Sequence, residues 1–470
     1  MTNRRNFIKA SAVGIGALTL ASQINPLSAE PKEQPRHDMG ANSPDAQLWA
    51  KEGKPVRVAL IGCGWYGKSD LFRIIQCGGD KINVVALCDV NKKMLDEAGE
   101  LVAQRQASGK VPQKYKDYRK LLEEQKIDIC LIGTPDHWHA LPMIAACEAG
   151  CDVYVQKPIG CDVVECQAML AAARKYNRVV QVGMQRRSTP ILIEAKRLYI
   201  DSGRMGKVAL VNLFDEYTRR KRILEPSDPP AELDFDFWTG PAPMRPYYLP
   251  RIWRDFMEYG NGTIGDMGVH MFDMTRWLLG LRWPKTISSV GGIYVNKGGT
   301  PTMYDTQKAI FQYDDLVVEW QHKHWAEVID HRIPWGATLY GDKGTLKAGS
   351  MAYDYKDQGR SAETTQVDAR LEYDLYPSDE TEPGLERKIA SANRAHMWNF
   401  LARTVDRQRP VSDIEEGFIS TVCCILANIS LELGGATLEF DPETGKVRNN
   451  DKANAMLRRE YRAPWVHPEV

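Results

Sequence analysis

The chain has 470 residues, enough for two or three domains, and its 43% hydrophobic and 26% charged content is ordinary for a soluble globular protein. Lys+Arg and Asp+Glu number 61 each, so the formal net charge is zero. Nothing electrostatic therefore points to nucleic acid or an anionic membrane as a partner.

The first residues read as a targeting segment rather than as fold. Arg4-Arg5 precedes Phe7-Ile8-Lys9, and Ala10 to Ala21 is apolar and rich in small residues. A basic start followed by a short apolar run describes an export signal. The run Asn3 to Lys9 resembles a twin-arginine signal, with Leu27-Ser28-Ala29 as the cleavage site. Residues 1–29 are thus expected to be an export signal, 30–53 a linker, and the protein to be periplasmic. No later segment is apolar for long enough to predict a stable membrane span.

From Pro55 to about Gly183 short apolar runs alternate with helical patterns. The runs are Val56 to Ile61, Val84 to Cys88, Ile129 to Ile132, Asp152 to Val155 and Val179 to Val182. This predicts a parallel sheet covered on both faces, a Rossmann domain over residues 54–183. Beyond about residue 206 the runs lengthen and partly alternate: 207–217, 286–295, 305–313, 316–324 and 336–346. They predict an open, mostly antiparallel sheet in an α+β domain over 184–455, with helices at 395–405 and 414–433 and a tail over 456–470. The ten cysteines follow no recognisable metal-ligand spacing, and several lie in or beside predicted buried strands. They read as free, buried thiols.

Gly62-Cys63-Gly64-Trp65-Tyr66-Gly67 directly follows the first strand and opens a helix. In that position the glycines permit a tight turn and close approach of the backbone to a pyrophosphate held at the helix N-terminus. Asp89 follows the second strand, 22 residues after Gly67. A carboxylate there accepts hydrogen bonds from ribose hydroxyls and repels a 2′-phosphate, which favours NAD over NADP. Lys92 and Lys93 lie close by and keep NADP as the lesser alternative.

Further motifs follow in order. Gly133-Thr134-Pro135-Asp136-His137-Trp138-His139 and Gln156-Lys157-Pro158 each follow a strand. Asp236 to Pro241, Tyr259 to Gly262, the run Thr263 to Asp273, and Arg409-Pro410 come later. Together with the glycine loop, these resemble the glucose-fructose oxidoreductase/inositol dehydrogenase/rhizopine catabolism (Gfo/Idh/MocA) family, from about Lys54 to about Asp441. The resemblance implies an active site between the two domains, with Lys157, Asp266 and His270 as the catalytic group. It implies NAD contacts at Gly62, Gly64, Trp65, Tyr66, Gly67, Asp89, Thr134, Pro135, His137, His139, Gln156, Lys157 and Pro158. Trp253, Arg254, Asp273 and His324 are the expected substrate contacts. A homodimer or homotetramer is expected, and no metal.

The residue chemistry agrees with those roles. Asp266, His270 and Asp273 recur at i, i+4 and i+7, so one helix would aim all three from one face. A histidine suits removal of a hydroxyl proton, and a lysine suits a developing alkoxide. The default alternatives are a structural histidine and a solvated lysine. His322 and His324 share one strand face, and as a metal pair they lack a third ligand. One departure stands out: the family's usual acidic residue before Lys-Pro is Gln156 here, which keeps hydrogen bonding but loses the charge. The sequence leaves the peptide bond before Pro158 open between cis and trans.

The implied activity is hydride transfer between a carbohydrate, glycoside or polyol and NAD. Two alternatives stand beside it: a redox-neutral, NAD-dependent glycosidase, and a non-catalytic NAD- or sugar-binding protein. Loss of Lys157 or His270 would have marked the last, and both are present.

Overall fold

A computed structural model of the protein describes residues 40–248, 253–381 and 389–470. The export signal and the first part of the expected linker lie outside the described residues. The rest of that linker is folded. Ser43 caps helix α1 (Pro44–Glu52) by accepting from Ala46 N at 3.2 Å, and Pro44 opens its first turn. Trp49 of α1 is buried and donates from Nε1 to the Gly78 carbonyl at 3.3 Å.

The first sheet is all parallel. Its strands are β1 (Val56–Ile61), β2 (Ile82–Cys88), β3 (Gln113–Tyr115), β4 (Ile129–Ile132), β5 (Asp152–Val155) and β6 (Val180–Val182), in the order β3-β2-β1-β4-β5-β6. Central strands β4 and β5 are buried at every residue, as their unbroken apolar runs require. β1 and β4 are parallel neighbours, and the order in which strands are added reverses between them, so the C-terminal ends of these two strands open the crevice where ligands bind in such sheets. Helix α2 (Trp65–Gly78) leaves from the glycine turn after β1.

The second sheet has eight strands. These are β7 (Val208–Asp215), β8 (Thr286–Gly292), β9 (Thr306–Gln312), β10 (Val317–Lys323), β11 (Trp335–Gly341), β12 (Gly344–Gly349), β13 (Ala352–Asp357) and β14 (Thr364–Asp368). Their order is β14-β13-β12-β11-β7-β10-β9-β8. The sheet is mixed and mostly antiparallel, because β7 and β10 pair in parallel. The run 336–346 is two strands, β11 and the start of β12, folded about the Gly341-Asp342-Lys343-Gly344 turn.

Helix α3 (Val269–Leu279) and the later helices α4 (Ala390–Asp406) and α5 (Ile414–Glu432) complete the core. α5 is long and apolar enough to cross a membrane by composition, yet it lies buried against β8 and α3. α4 returns to the first domain and packs on α1 and α2, so the domain division at residue 183 is a division of sheets, not of chain. The segment read as a tail is docked as well. Arg459 N donates to Asp162 Oδ2 at 2.9 Å, His467 Nε2 meets the same oxygen at 2.8 Å, and Trp465 packs edge-on to Trp138.

Candidate active site

The glycine turn is built by contacts that a side chain would destroy. Gly62 has φ +95°, and a Cβ there would lie 2.6 Å from Thr134 N. A Cβ on Gly67 would lie 1.9 Å from the Gly62 carbonyl, so Gly67 seals helix to strand. Gly64 is different: a Cβ there meets nothing within 4 Å, and the residue lines the cavity. That open space at a helix N-terminus is a cradle for a phosphate group. Asp89 accepts from Cys63 N through Oδ2 and from Asn91 N through Oδ1, both at 2.7 Å, which sets its carboxylate at the edge of the same cavity. The nearby Lys92 pairs with Asp96.

The cavity has a volume of about 860 Å³ and runs from this cradle to the second sheet. Trp65, Tyr66, Thr134 and Pro135 line it near the turn. His139 also borders it, with Nδ1 2.7 Å from the Pro158 carbonyl and Nε2 2.9 Å from the Thr134 carbonyl. Burial pushes this imidazole down to about 4. The Lys157–Pro158 peptide bond is cis. These residues fit a dinucleotide by cradle, volume and carboxylate placement.

At the far end, Lys157 Nζ donates to both Asp266 Oδ1 and the Asp266 carbonyl at 2.7 Å. Arg254 Nε approaches the same carboxylate at 3.4 Å, and Trp253 borders the cavity beside it. Burial raises the Asp266 carboxyl, but Lys157 and Arg254 outweigh it and hold the group far below the usual carboxylate range. His270 lines the cavity, packs edge-on to Trp335 at 5.5 Å between centroids, and has an Nδ1 with no hydrogen-bond partner. Burial first, then Lys157 and Arg186, push it well below the ordinary imidazole range. A neutral imidazole thus lines the same cavity as a fixed ammonium–carboxylate pair, with its Nδ1 buried and without a hydrogen-bond partner.

Asp266 lies in a wide, π-type turn, Ile264–Gly268, that leads into α3, so the 3.6-residue period does not run unbroken from Asp266 to Asp273. Asp266 and His270 border the cavity and Asp273 does not. Asp273 is fully buried, accepts from Arg187 Nε at 2.7 Å, Arg187 Nη2 at 2.8 Å and Ser420 Oγ at 2.9 Å, and is a packing residue rather than a substrate contact.

Two other expectations are corrected. His324 is fully buried, bonded to Thr263 Oγ1 at 3.0 Å and stacked on His322, so it does not reach the cavity. His137 turns away from the cavity, its Nε2 3.0 Å from the Trp238 carbonyl. Gly67 and Pro158 shape the walls without lining them.

Among the cavity-wall residues that sequence reasoning missed, three bear on the chemistry. Arg186 is buried and lies over the Trp335 ring at 5.5 Å. Trp335 carries no sequence signal. Asp136 is a buried carboxyl that burial pushes well up against the opposing pull of Lys157, and it stands inside the motif already singled out.

A dinucleotide cradle at the first sheet and a Lys157–Asp266–His270 cluster line one cavity that reaches the second sheet. The chain belongs to the Gfo/Idh/MocA oxidoreductase family: residues 56–184 match its NAD-binding Rossmann domain and residues 211–315 its C-terminal alpha/beta domain. It is similar to levoglucosan dehydrogenase from Pseudarthrobacter phenanthrenivorans, 28% identical over 225 residues, covering 48% of this chain and 51% of that one. It is also similar to an alpha-N-acetylgalactosaminidase from Shewanella oneidensis, 30% identical over 182 residues, covering 37% and 38%. The chain spans about half the length, or less, of the curated relatives it matches. Among solved structures, a levoglucosan dehydrogenase complex with NADH and L-sorbose shares the fold at a TM-score of 0.63 and 17% identity, covering 82% of this chain and 99% of that one.

Proposed function

We propose that the protein transfers hydride between nicotinamide and a C–OH or C=O group of a carbohydrate, glycoside or polyol. The observation that carries this reading is that neutral His270 and the Lys157–Asp266 pair line one cavity that begins at the glycine cradle. NAD, when bound, supplies the hydride acceptor or donor. His270 takes the hydroxyl proton during oxidation and returns it during reduction. Lys157 stabilises negative charge on the substrate oxygen, and Asp266 fixes the ammonium in place. Asp89 selects NAD over NADP. The test is a screen of mono- and disaccharides and polyols followed by nicotinamide absorbance; no turnover of any class would refute the reading.

The similarity to an alpha-N-acetylgalactosaminidase favours a second reading, a redox-neutral cycle at the same residues. Product analysis separates the two: a keto-sugar marks the dehydrogenase, and a released aglycone with no net redox change marks the glycosidase.

Two context proposals accompany this function. The protein is exported by a twin-arginine route, which deletion of residues 1–29 tests through its cellular location. It assembles as a homodimer or homotetramer, supported by Leu210, Ile310 and Tyr340 standing exposed on the second sheet. Light scattering at chromatographic elution checks the mass; a monomer would refute it.

A further inference from the structure

Asp70 is a buried carboxylate that the chemistry above does not use. It sits on α2, 4% exposed, and no Lys, Arg or His forms an ion pair with it among the described residues. Its hydrogen-bond partner is the Gln156 amide, Nε2 to Oδ2 at 2.6 Å. The amide as a whole packs against Gly183, where a Cβ would lie 2.7 Å from Gln156 Oε1 and 2.8 Å from Nε2. Gln156 is therefore held in one orientation between a carboxylate and a backbone that admits no side chain. It lines the cavity immediately before Lys157, at the acid–base end.

We propose that Asp70, acting through the Gln156 amide, is a positioning residue that biases the site toward the oxidised dinucleotide. This rests on the cofactor reading above. Oxidised nicotinamide carries a formal positive charge and the reduced ring carries none, so a carboxylate behind the amide favours the oxidised form by Coulomb attraction. The charge that Gln156 lacks is supplied one side chain further back. Burial pushes the Asp70 carboxyl up to about 7, so the bias strengthens as pH rises through neutrality. The titratable group facing it from β5 is the Tyr154 phenol, with Tyr66 beyond, and burial holds the Tyr154 phenol neutral there.

The test is calorimetric titration of nucleotide-stripped, full-length protein with NAD+ and with NADH, at pH 6 and pH 8. Wild type should shift its preference toward NAD+ by roughly fivefold to tenfold between the two pH values. Asp70→Asn should show no such shift and should favour NADH by a similar factor at pH 8. Asp70→Asn/Gln156→Glu returns a carboxylate to the cavity wall and should restore the NAD+ preference. A pH-independent ratio in wild type, or an unchanged ratio in Asp70→Asn, overturns the inference and leaves the cofactor reading intact. Failure to bind either nucleotide overturns both. The wild-type pH series decides the matter even where the variant folds poorly.

Discussion

Asp273→Asn separates a substrate contact from a packing residue. Asp273 and Glu416 together balance two buried guanidiniums, Arg187 with 6% and Arg276 with 0% of the side chain exposed. Glu416 already accepts from Arg187 and Arg276 at 2.9 Å each and pairs with Arg282 at 3.1 Å. Neutralising Asp273 removes a two-pronged contact at 2.7 and 2.8 Å and leaves two buried cations on one shared acid. Breaking a buried pair on one side costs about 3–5 kcal/mol. The amide keeps the shape and one acceptor, so the expected loss is about 3 kcal/mol. The assay is equilibrium urea unfolding by tryptophan fluorescence, with KM measured on the folded fraction. The expected outcome is a lower midpoint with KM within about threefold of wild type. Normal stability combined with a KM raised tenfold or more would refute the packing assignment and return Asp273 to the substrate.

Lys157→Ala and His270→Ala should each lower turnover by about a hundredfold or more while nucleotide binding persists, measured by NADH fluorescence; near wild-type turnover would remove the residue from the chemistry. Asp89→Ala should narrow the gap between NAD and NADP affinities, and equal affinities in the unmutated protein would contradict the role of Asp89. Asp70 offers a stability test. Its folded-state carboxyl is raised from 3.8 to about 7, so the destabilisation is absent below pH 4 and grows as pH rises through that window. Asp70→Asn should therefore gain on wild type with rising pH, by up to about 4 kcal/mol at pH 8, and a pH-independent difference in urea unfolding would refute the shift. Finally, under the proposed export, purified protein should release close to one NAD(H) per chain on denaturation, because outside the cytoplasm there is no free dinucleotide pool to exchange with. An empty chain that binds added NAD weakly would rule out a retained cofactor.

Local rules located what local chemistry builds. The glycine turn, Asp89 and the unbroken apolar strands are each specified within a few residues, and the structure places them as expected. Lys157, Asp266 and His270 meet at one end of the cavity because two motifs over a hundred residues apart both end at it. Side-chain direction was harder to read. Asp273 fits a helical face on paper, but a wide turn precedes its helix and Arg187, from another element, claims its carboxylate. His324 lies on the predicted strand face, yet that face is the buried one. Asp70 was legible in principle: it falls on the stripe with Gly67, Leu71 and Ile74, all buried, where an unpaired acid is an anomaly. Helix α1 carried a capping serine and a first-turn proline, but its helical pattern is too short to outweigh the proline- and charge-rich run before it.

The cysteines connect fold to route. All ten are free, and all but Cys77 are fully buried. Cys63 and Cys88 lie at the cofactor end of the first sheet, Cys130 in β4, and Cys423 and Cys424 inside α5. Burial pushes the thiols of Cys77, Cys147, Cys151 and Cys423 up to about 12 and those of Cys63, Cys88, Cys130, Cys161, Cys166 and Cys424 well above the ordinary range. The thiolate is the species that forms disulfides, so the folded protein suppresses the reaction at every site. An unfolded chain has no such protection, and ten exposed thiols in an oxidising compartment would pair at random. A protein with this arrangement is best folded before it meets that compartment. Folding around a dinucleotide also has to occur where dinucleotide is present. Under the export proposed above, the buried thiols and the cofactor cradle would require the same order of events, folding first and export second.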